Sequence, residues 1–333
     1  MKHTIWFLFL ILMISCKKER PHKSFFQGQA FGTTFSIQVY SINEIEFEKG
    51  IDSVLSKVNN SVSTYIPESD ISKINNGNTA IIVDDIFIDN FNISAEVYEN
   101  TGGFFDPTIG VLRNAYGFGD TNSIEEIDSL ALDSMMKFVG FNKVKLTSEN
   151  KIEKLYPEIY IDFNAVAKGY GIDLIGSYLD SKGVNNYLIE LGGEILAKGK
   201  NVEKNKSWLV GIENVNLNDK SFSNIIALED IAMATSGNYR KFRIDSLTGK
   251  KYVHTLNPIT GSASKSDITS ATVLASTCAL ADAYATAFMA LGLENSKVIL
   301  KNIDKIDVYF TYNDQNNEEQ VFATEGLIKR LVN

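Results

Sequence analysis

The sequence predicts an α+β fold built mainly from antiparallel sheets with flanking helices. Two observations lead there. The stretch "NYLIELGGEILAKG" (186–199) reads as strand, Gly-Gly turn, strand, which is a hairpin. Strand-like segments come in groups, and helices fall between them without the one-to-one alternation that a doubly wound parallel sheet requires. After residue 28 no internal repeat and no low-complexity linker breaks the chain, so residues 29–333 are expected to form a single domain.

The elements follow in chain order. Residues 1–15 read as a signal peptide: Lys2 supplies the positive start, and "WFLFLILMI" (6–14) is an apolar run too short to span a bilayer stably. The run ends "MISC", which resembles a bacterial lipobox in which Cys16 becomes the lipidated first residue of the mature chain. The other reading is a plain secretory signal with an incidental cysteine. Residues 16–28 are charged and aperiodic, and are expected to be a tether. "TTFSIQVYS" alternates, with Phe35, Ile37 and Val39 on one face, and opens the domain as a strand. Ile51, Val54, Leu55 and Val58 have helical spacing, and a second helix over 86–100 stops at Gly102–Gly103. A strand over 158–163 is expected to feed a helix from about 165 to 181, ended by Gly183. After the hairpin come strands near 207–213, 226–234, 251–256 and 269–276. A small-residue helix over 278–291 is closed by Gly292, another runs over 294–302, and strands near 306–312 and 318–323 complete the fold.

Composition narrows the function. A net charge of −9 argues against a nucleic-acid partner, which needs a basic face. Besides Cys16 the only cysteine is Cys278, so an internal disulfide and a cysteine-type zinc site are both excluded, and Cys278 reads as a packed residue. No G-x-G-x-x-G follows a strand and no phosphate-binding G-x-x-x-x-G-K-[ST] occurs. In the body of the chain S-x-x-K appears at Ser134, Ser148 and Ser262, but its partner K-T-G is missing. With His3 in the signal and His22 in the tether, His254 is expected to be alone in the folded body, which rules out a three-histidine metal site. His254 opens "HTLNPITG", a strand end beside a tight turn, and a structural and a functional role both remain open for it. In "ALADAYATAFMALG", Asp282 and Thr286 are four apart on one helix face. An acid and a hydroxyl among alanines make an oxygen-rich notch suited to Mg²⁺, the alternative being a polar stripe on a surface helix.

The motifs "FGTTFSI", "STYIPESDISKIN", "TGGFFDPTIGVL", "IDFNAVAKGYGID", "YLIELGGEI", "ATSGNYRKF", "HTLNPITG" and "CALADAYATAFMALG" occur in this order over residues 30–323. Each is weak alone, but together they resemble the FAD:protein FMN transferases, the ApbE family. The resemblance implies an ApbE-like (T-fold-like) single domain. It also implies a Mg²⁺-dependent reaction that cleaves FAD at its pyrophosphate, releases AMP and joins FMN to a threonine or serine of a target protein.

Carried over motif by motif, the resemblance implies Mg²⁺ held by the Ala165 carbonyl, the Asp282 carboxylate and the Thr286 hydroxyl. It implies flavin and adenylate contacts from Phe31, Tyr65, Phe104, Phe105, Asp106, Asp162, Lys168 and Leu256. His254 matches the motif histidine and is assigned as general base, with Asp162 or Asp282 as alternatives. Phe31 stands where many members have methionine, and Ala285 where some have a second aspartate, leaving the metal one carboxylate fewer. The resemblance further implies acceptor flavoprotein subunits of membrane redox complexes, such as Na⁺-pumping NADH:quinone reductase or Rnf. The implied location is the periplasmic side of the bacterial envelope, through the lipid on Cys16. Two competing readings use the same site: a FAD pyrophosphatase with water as acceptor, and a flavin-binding lipoprotein without turnover.

Overall fold

The computed structural model describes residues 21–42, 46–120, 127–213, 222–238, 242–244, 251–263 and 266–332. Cys16 and the signal segment lie outside them. The chain opens with β1 (His22–Ala30) and β2 (Thr33–Ser41), nine facing pairs with no register shift. Helices α1 (Glu48–Val62), α2 (Asp70–Asn75), α3 (Asp85–Asn100), α4 (Gly110–Ala115) and α5 (Ser129–Met136) follow. A small hairpin of β3 (Val144–Leu146) and β4 (Ile152–Lys154) precedes α6 (Ala167–Ser181). Then come β5 (Asn186–Leu191), β6 (Glu194–Lys198), β7 (Trp208–Glu213), β8 (Phe222–Leu228) and β9 (Ile231–Gly237). The short β10 (Phe242–Ile244) and β11 (Lys251–Val253) lead to β12 (Ile268–Ala275) and α7 (Cys278–Leu291). The chain closes with α8 (Leu293–Leu300), β13 (Asp307–Asn313), β14 (Glu319–Ala323), α9 (Glu325–Ile328) and β15 (Leu331–Val332).

Among the described residues the main sheet has the order β1-β2-β5-β6-β9-β12-β13-β14, and every pairing in it is antiparallel. Helices α1, α3, α6 and α7 cover one face, and α7 lies directly on β9 and β12. The small sheet β15-β8-β7 covers the other face over Tyr40, Trp208, Ile226, Leu228, Met233 and Leu274. The fold is therefore α+β in a single domain, as the strand grouping indicates.

Helix α7 is the buried centre of the helical layer. Ala279, Ala281, Ala283, Ala285 and Ala287 are all fully buried, and a helix apolar on every side belongs inside. Its first turn is closed by Thr277, which accepts from Leu280 N, and by Asp173 of α6, which accepts from Cys278 N at 2.8 Å and Ala279 N at 2.9 Å. The two helices meet backbone to backbone: a Cβ on Gly169 would lie 2.3 Å from the Cys278 carbonyl oxygen.

Several expectations change. Residues 22–28, expected to belong to a tether, form most of edge strand β1, so His22 joins His254 within the folded part. The strand expected over 158–163 is absent as a ladder; only an isolated bridge joins Tyr160 to Ile109. The segment expected as one strand over 226–234 is two, β8 and β9, broken at Glu229–Asp230, where Asp230 turns at φ +49°. The strand expected over 251–256 stops at Val253, and a turn follows in which Asn257 Oδ1 accepts from Ile259 N and Thr260 N.

Candidate active site

The segment 159–169 is the spine of the site. Ile159, Ile161 and Phe163 are fully buried, which gives this stretch its strand-like alternation. Its hydrogen bonds go to side chains and loops instead of a ladder. Asn75 donates to Ile161 O and accepts from Ile161 N, both at 2.8 Å, and Asp162 N donates to Pro107 O. This clamps Asp162 and the turn that follows it.

Asp162 is buried and its carboxylate is shared. Oδ1 accepts from Asn164 N and Asn164 Nδ2, and Oδ2 pairs with Arg113 on α4. The second arm of Arg113 donates to Tyr65 Oη at 2.6 Å, and the guanidinium lies 5.8 Å from the centre of the Tyr65 ring. Burial works against the Arg113 charge, and the neighbouring Asp162 outweighs it, so Arg113 is held firmly protonated. Tyr65 is 57% exposed and its ring faces outward.

Beyond Asp162 the chain turns into α6. Val166 N and Ala167 N donate to Phe163 O, and Tyr170 N donates to Val166 O. Gly169 N, which a regular helix start would give to Ala165 O, donates instead to Asp282 Oδ2 at 3.2 Å. No backbone N–H among the described residues reaches the Ala165 carbonyl. Asp282 on α7 is 3% exposed, and burial raises its pKa, with Lys168 opposing and Glu194 adding to the rise. Thr286, one turn further along α7, has its hydroxyl 3.4 Å from Ser236 Oγ of β9. Lys168 pairs with Glu194 Oε1 at the start of β6; burial disfavours its charge, and Asp282 and Glu194 hold it protonated.

The other residues implied by the resemblance fall around this spine. Phe31 sits in the β1–β2 turn at φ +50°, and a Cβ on Gly171 of α6 would lie 2.9 Å from its ring. A phenylalanine at a glycine-favouring angle is local strain held by that packing. Phe104 is half-buried and Phe105 is buried in the main hydrophobic core. Asp106 is 7% exposed and turned inward: its carboxylate accepts from Thr108 N, Thr108 Oγ1 and Phe141 N, and burial pushes its pKa up to about 6. Leu256 packs with Leu112 and Tyr116, and Tyr116 Oη donates to Gly261 O at 3.0 Å. The loop that follows β11 thus lies on α4, with partly buried His254 at its start.

The structure brings the implied residues into two bonded groups joined by the 162–169 segment. One is Tyr65–Arg113–Asp162–Asn164, and the other is two adjoining pairs, Lys168 with Glu194 and Gly169 N with Asp282. Arg113 and Glu194 were not singled out from sequence. Glu194 had a signal: an acid directly after a Gly-Gly turn, on the same strand face as Leu196, which meets Gly176 of α6. Arg113 had none beyond its place in "TIGVLRNAYG".

The donors fit a hard cation. They are the Asp282 carboxylate and the Ala165 carbonyl, which no backbone N–H among the described residues reaches, at the meeting of α6 and α7, and the Thr286 hydroxyl one turn further along α7, all oxygen. Among the described residues no cluster of three or more His, Cys, Asp or Glu is placed to hold a metal, so a softer, side-chain-only site has no support.

The chain is 32% identical over 300 residues to the FAD:protein FMN transferase of Vibrio cholerae, covering 87% of each chain. It is 30% identical to that of Haemophilus influenzae, covering 91% of this chain and 90% of the relative. The solved flavin transferase ApbE from Vibrio cholerae superposes with a TM-score of 0.82 at 28% identity, over 93% of this chain and 100% of the other. The ApbE family model matches residues 31–310, and the chain therefore belongs to the ApbE family.

Proposed function

We infer that the protein transfers FMN from FAD to a hydroxyl of a target protein and releases AMP. The observation that carries the reading is the junction of α6 and α7. There, Gly169 N turns to Asp282 and leaves the Ala165 carbonyl unbonded, in a chain whose family relatives are named FAD:protein FMN transferases. In this reading Ala165 O, Asp282 and Thr286 would hold Mg²⁺, which when bound would neutralise charge on the pyrophosphate.

The chain's own residues do the rest. Tyr65 and Phe31 offer aromatic faces to the dinucleotide, with Phe104 and Leu256 as apolar walls. Lys168 directs its charge to the phosphates. His254 takes the proton from the acceptor threonine or serine as its oxygen attacks the FMN phosphorus in line. The new phosphoester bond forms as the bond to the AMP oxygen breaks, and AMP leaves with the electron pair. The acceptors are flavoprotein subunits of membrane redox complexes. The protein works from the outer face of a membrane, held by lipid on Cys16.

The test is incubation with FAD, Mg²⁺ and a threonine-bearing acceptor domain, with FMN read by intact mass. At saturating acceptor, covalent FMN should exceed free FMN several-fold. If free FMN dominates with every flavoprotein acceptor tried, the activity is that of a pyrophosphatase. If neither product forms while FAD stays bound, the protein is a flavin carrier.

A further inference from the structure

Lys168 lies between two buried carboxylates and pairs with one of them. Its neighbour in sequence, Gly169, donates its backbone N–H to Asp282 Oδ2, so Lys168 begins within side-chain reach of that carboxylate. Its ammonium nevertheless pairs with Glu194 Oε1 and makes no ion pair with Asp282. Glu194 is 4% exposed and is aimed by its strand. The Gly192–Gly193 turn, both residues at positive φ, starts β6 so that residues 194 and 196 face α6. Its second oxygen, Oε2, is buried with no hydrogen-bond partner. A buried carboxylate with one idle oxygen contributes little to stability, which calls for another reason for its position.

We propose that Glu194 is a positioning residue that engages the Lys168 ammonium, keeps it from closing an ion pair with Asp282 and so leaves the Asp282 carboxylate open to a divalent cation. The inference rests on the reading of Asp282 as a cation ligand. Lysine carries a compact point charge on a flexible four-carbon stem, so it goes to whichever carboxylate offers the better geometry. Two carboxylates are in reach, one held by Gly169 N through a single oxygen and the other free of backbone bonds. Without Glu194 the ammonium moves to the remaining oxygen of Asp282, the one a cation needs. Lysine and divalent cation then compete for one ligand.

The experiment is calorimetric titration of the flavin-free protein with Mn²⁺, a probe for the Mg²⁺ site that needs no turnover. Glu194→Gln should weaken Mn²⁺ binding by about tenfold or more. In a Lys168→Met background the same change should have no further effect, because the competing ammonium is gone. Two results overturn the proposal: unchanged affinity in Glu194→Gln, or an equal weakening in both backgrounds, which would mean Glu194 acts through its own charge. If Glu194→Gln loses its circular-dichroism signature, Glu194→Asp replaces it. One methylene shorter, it should bind Mn²⁺ more weakly than wild type, and wild-type affinity there counts against the proposal. Asp282→Ala separates the two layers. Retained Mn²⁺ binding in that variant refutes the metal reading itself, whereas lost binding with an inert Glu194→Gln refutes only the role of Glu194.

Discussion

Asp282 is buried where α6 meets α7 and keeps company with Lys168, Glu194 and one peptide N–H. A carboxylate so placed favours any cation that can reach it, because burial leaves the charge poorly compensated. His254 has the opposite setting, at a bend on a surface loop seated on α4 by Leu256 and Tyr116. Its expected role is proton removal from the acceptor hydroxyl, and a general base typically contributes about 10²–10⁴-fold in rate. His254→Asn should slow covalent FMN formation by that order while FAD affinity, read by flavin fluorescence, is kept. Transfer within a few-fold of wild type would take His254 out of the mechanism. At this scale the sequence is readable only where a residue type is rare or its spacing is diagnostic. Asp282 and Thr286 stand out among alanines. Arg113 does not, because its meaning comes from Tyr65 and Asp162, 48 and 49 residues away, which meet it only in the fold.

Helices α6 and α7 are joined by a carboxylate acting as a cap between elements. Asp173 accepts the first two free N–H groups of α7, and burial pushes its pKa up from 3.8 to about 6. A raised carboxylate pKa means that the folded state holds the proton more tightly than the unfolded one. Stability from this group is therefore fully present below pH 3.8, is lost as pH rises through about 6 and is level above that. Between pH 7 and pH 4.5 it amounts to about 2 kcal/mol in favour of the acid side, at 1.36 kcal/mol per pKa unit. Asp173→Asn does not titrate, so in urea denaturation the stability difference between those two pH values should shift by about that amount. An identical pH dependence in the variant would show that the cap carries no such penalty. Elements of this kind were legible where periodicity and punctuation agree, as in α7, which starts at Thr277 and stops at Gly292. The segment 158–163 misled because Ile159, Ile161 and Phe163 alternate as a strand does, yet Asn75 and Pro107 take the bonds that a neighbouring strand would have taken. Alternation reports which side is buried and leaves open which group pairs with the backbone.

As a whole the molecule is a long antiparallel sheet pressed between a helical layer that carries the site and a three-stranded layer that does not. Turn-flanked alternation made the strands visible in sequence. The order β9-β12-β13 was not, because it joins segments separated by more than thirty residues and no local signal encodes it. Among the described residues no helix is long and apolar enough to cross a membrane, so attachment in our reading depends on residues before His22. Cys16→Ser should leave the exported protein unacylated by mass and move it from the membrane pellet to the soluble fraction. An unchanged membrane fraction and unchanged N-terminal mass would end the lipid assignment.

Strand β1 bears on how this protein can be cut for study. The family match begins at residue 31, one position after β1 ends, so a recombinant fragment trimmed to the match would lack the whole strand. The loss would bare nine residues of β2, whose Phe35, Ile37 and Val39 are buried, and turn a covered strand into an open template for pairing with another chain. It would also release the Phe31–Gly32 turn, whose strained geometry is kept by strands on both sides and which places the Phe31 ring against α6. A fragment starting at residue 31 should elute as soluble aggregates on size exclusion, whereas one starting at residue 21 should run as a discrete species.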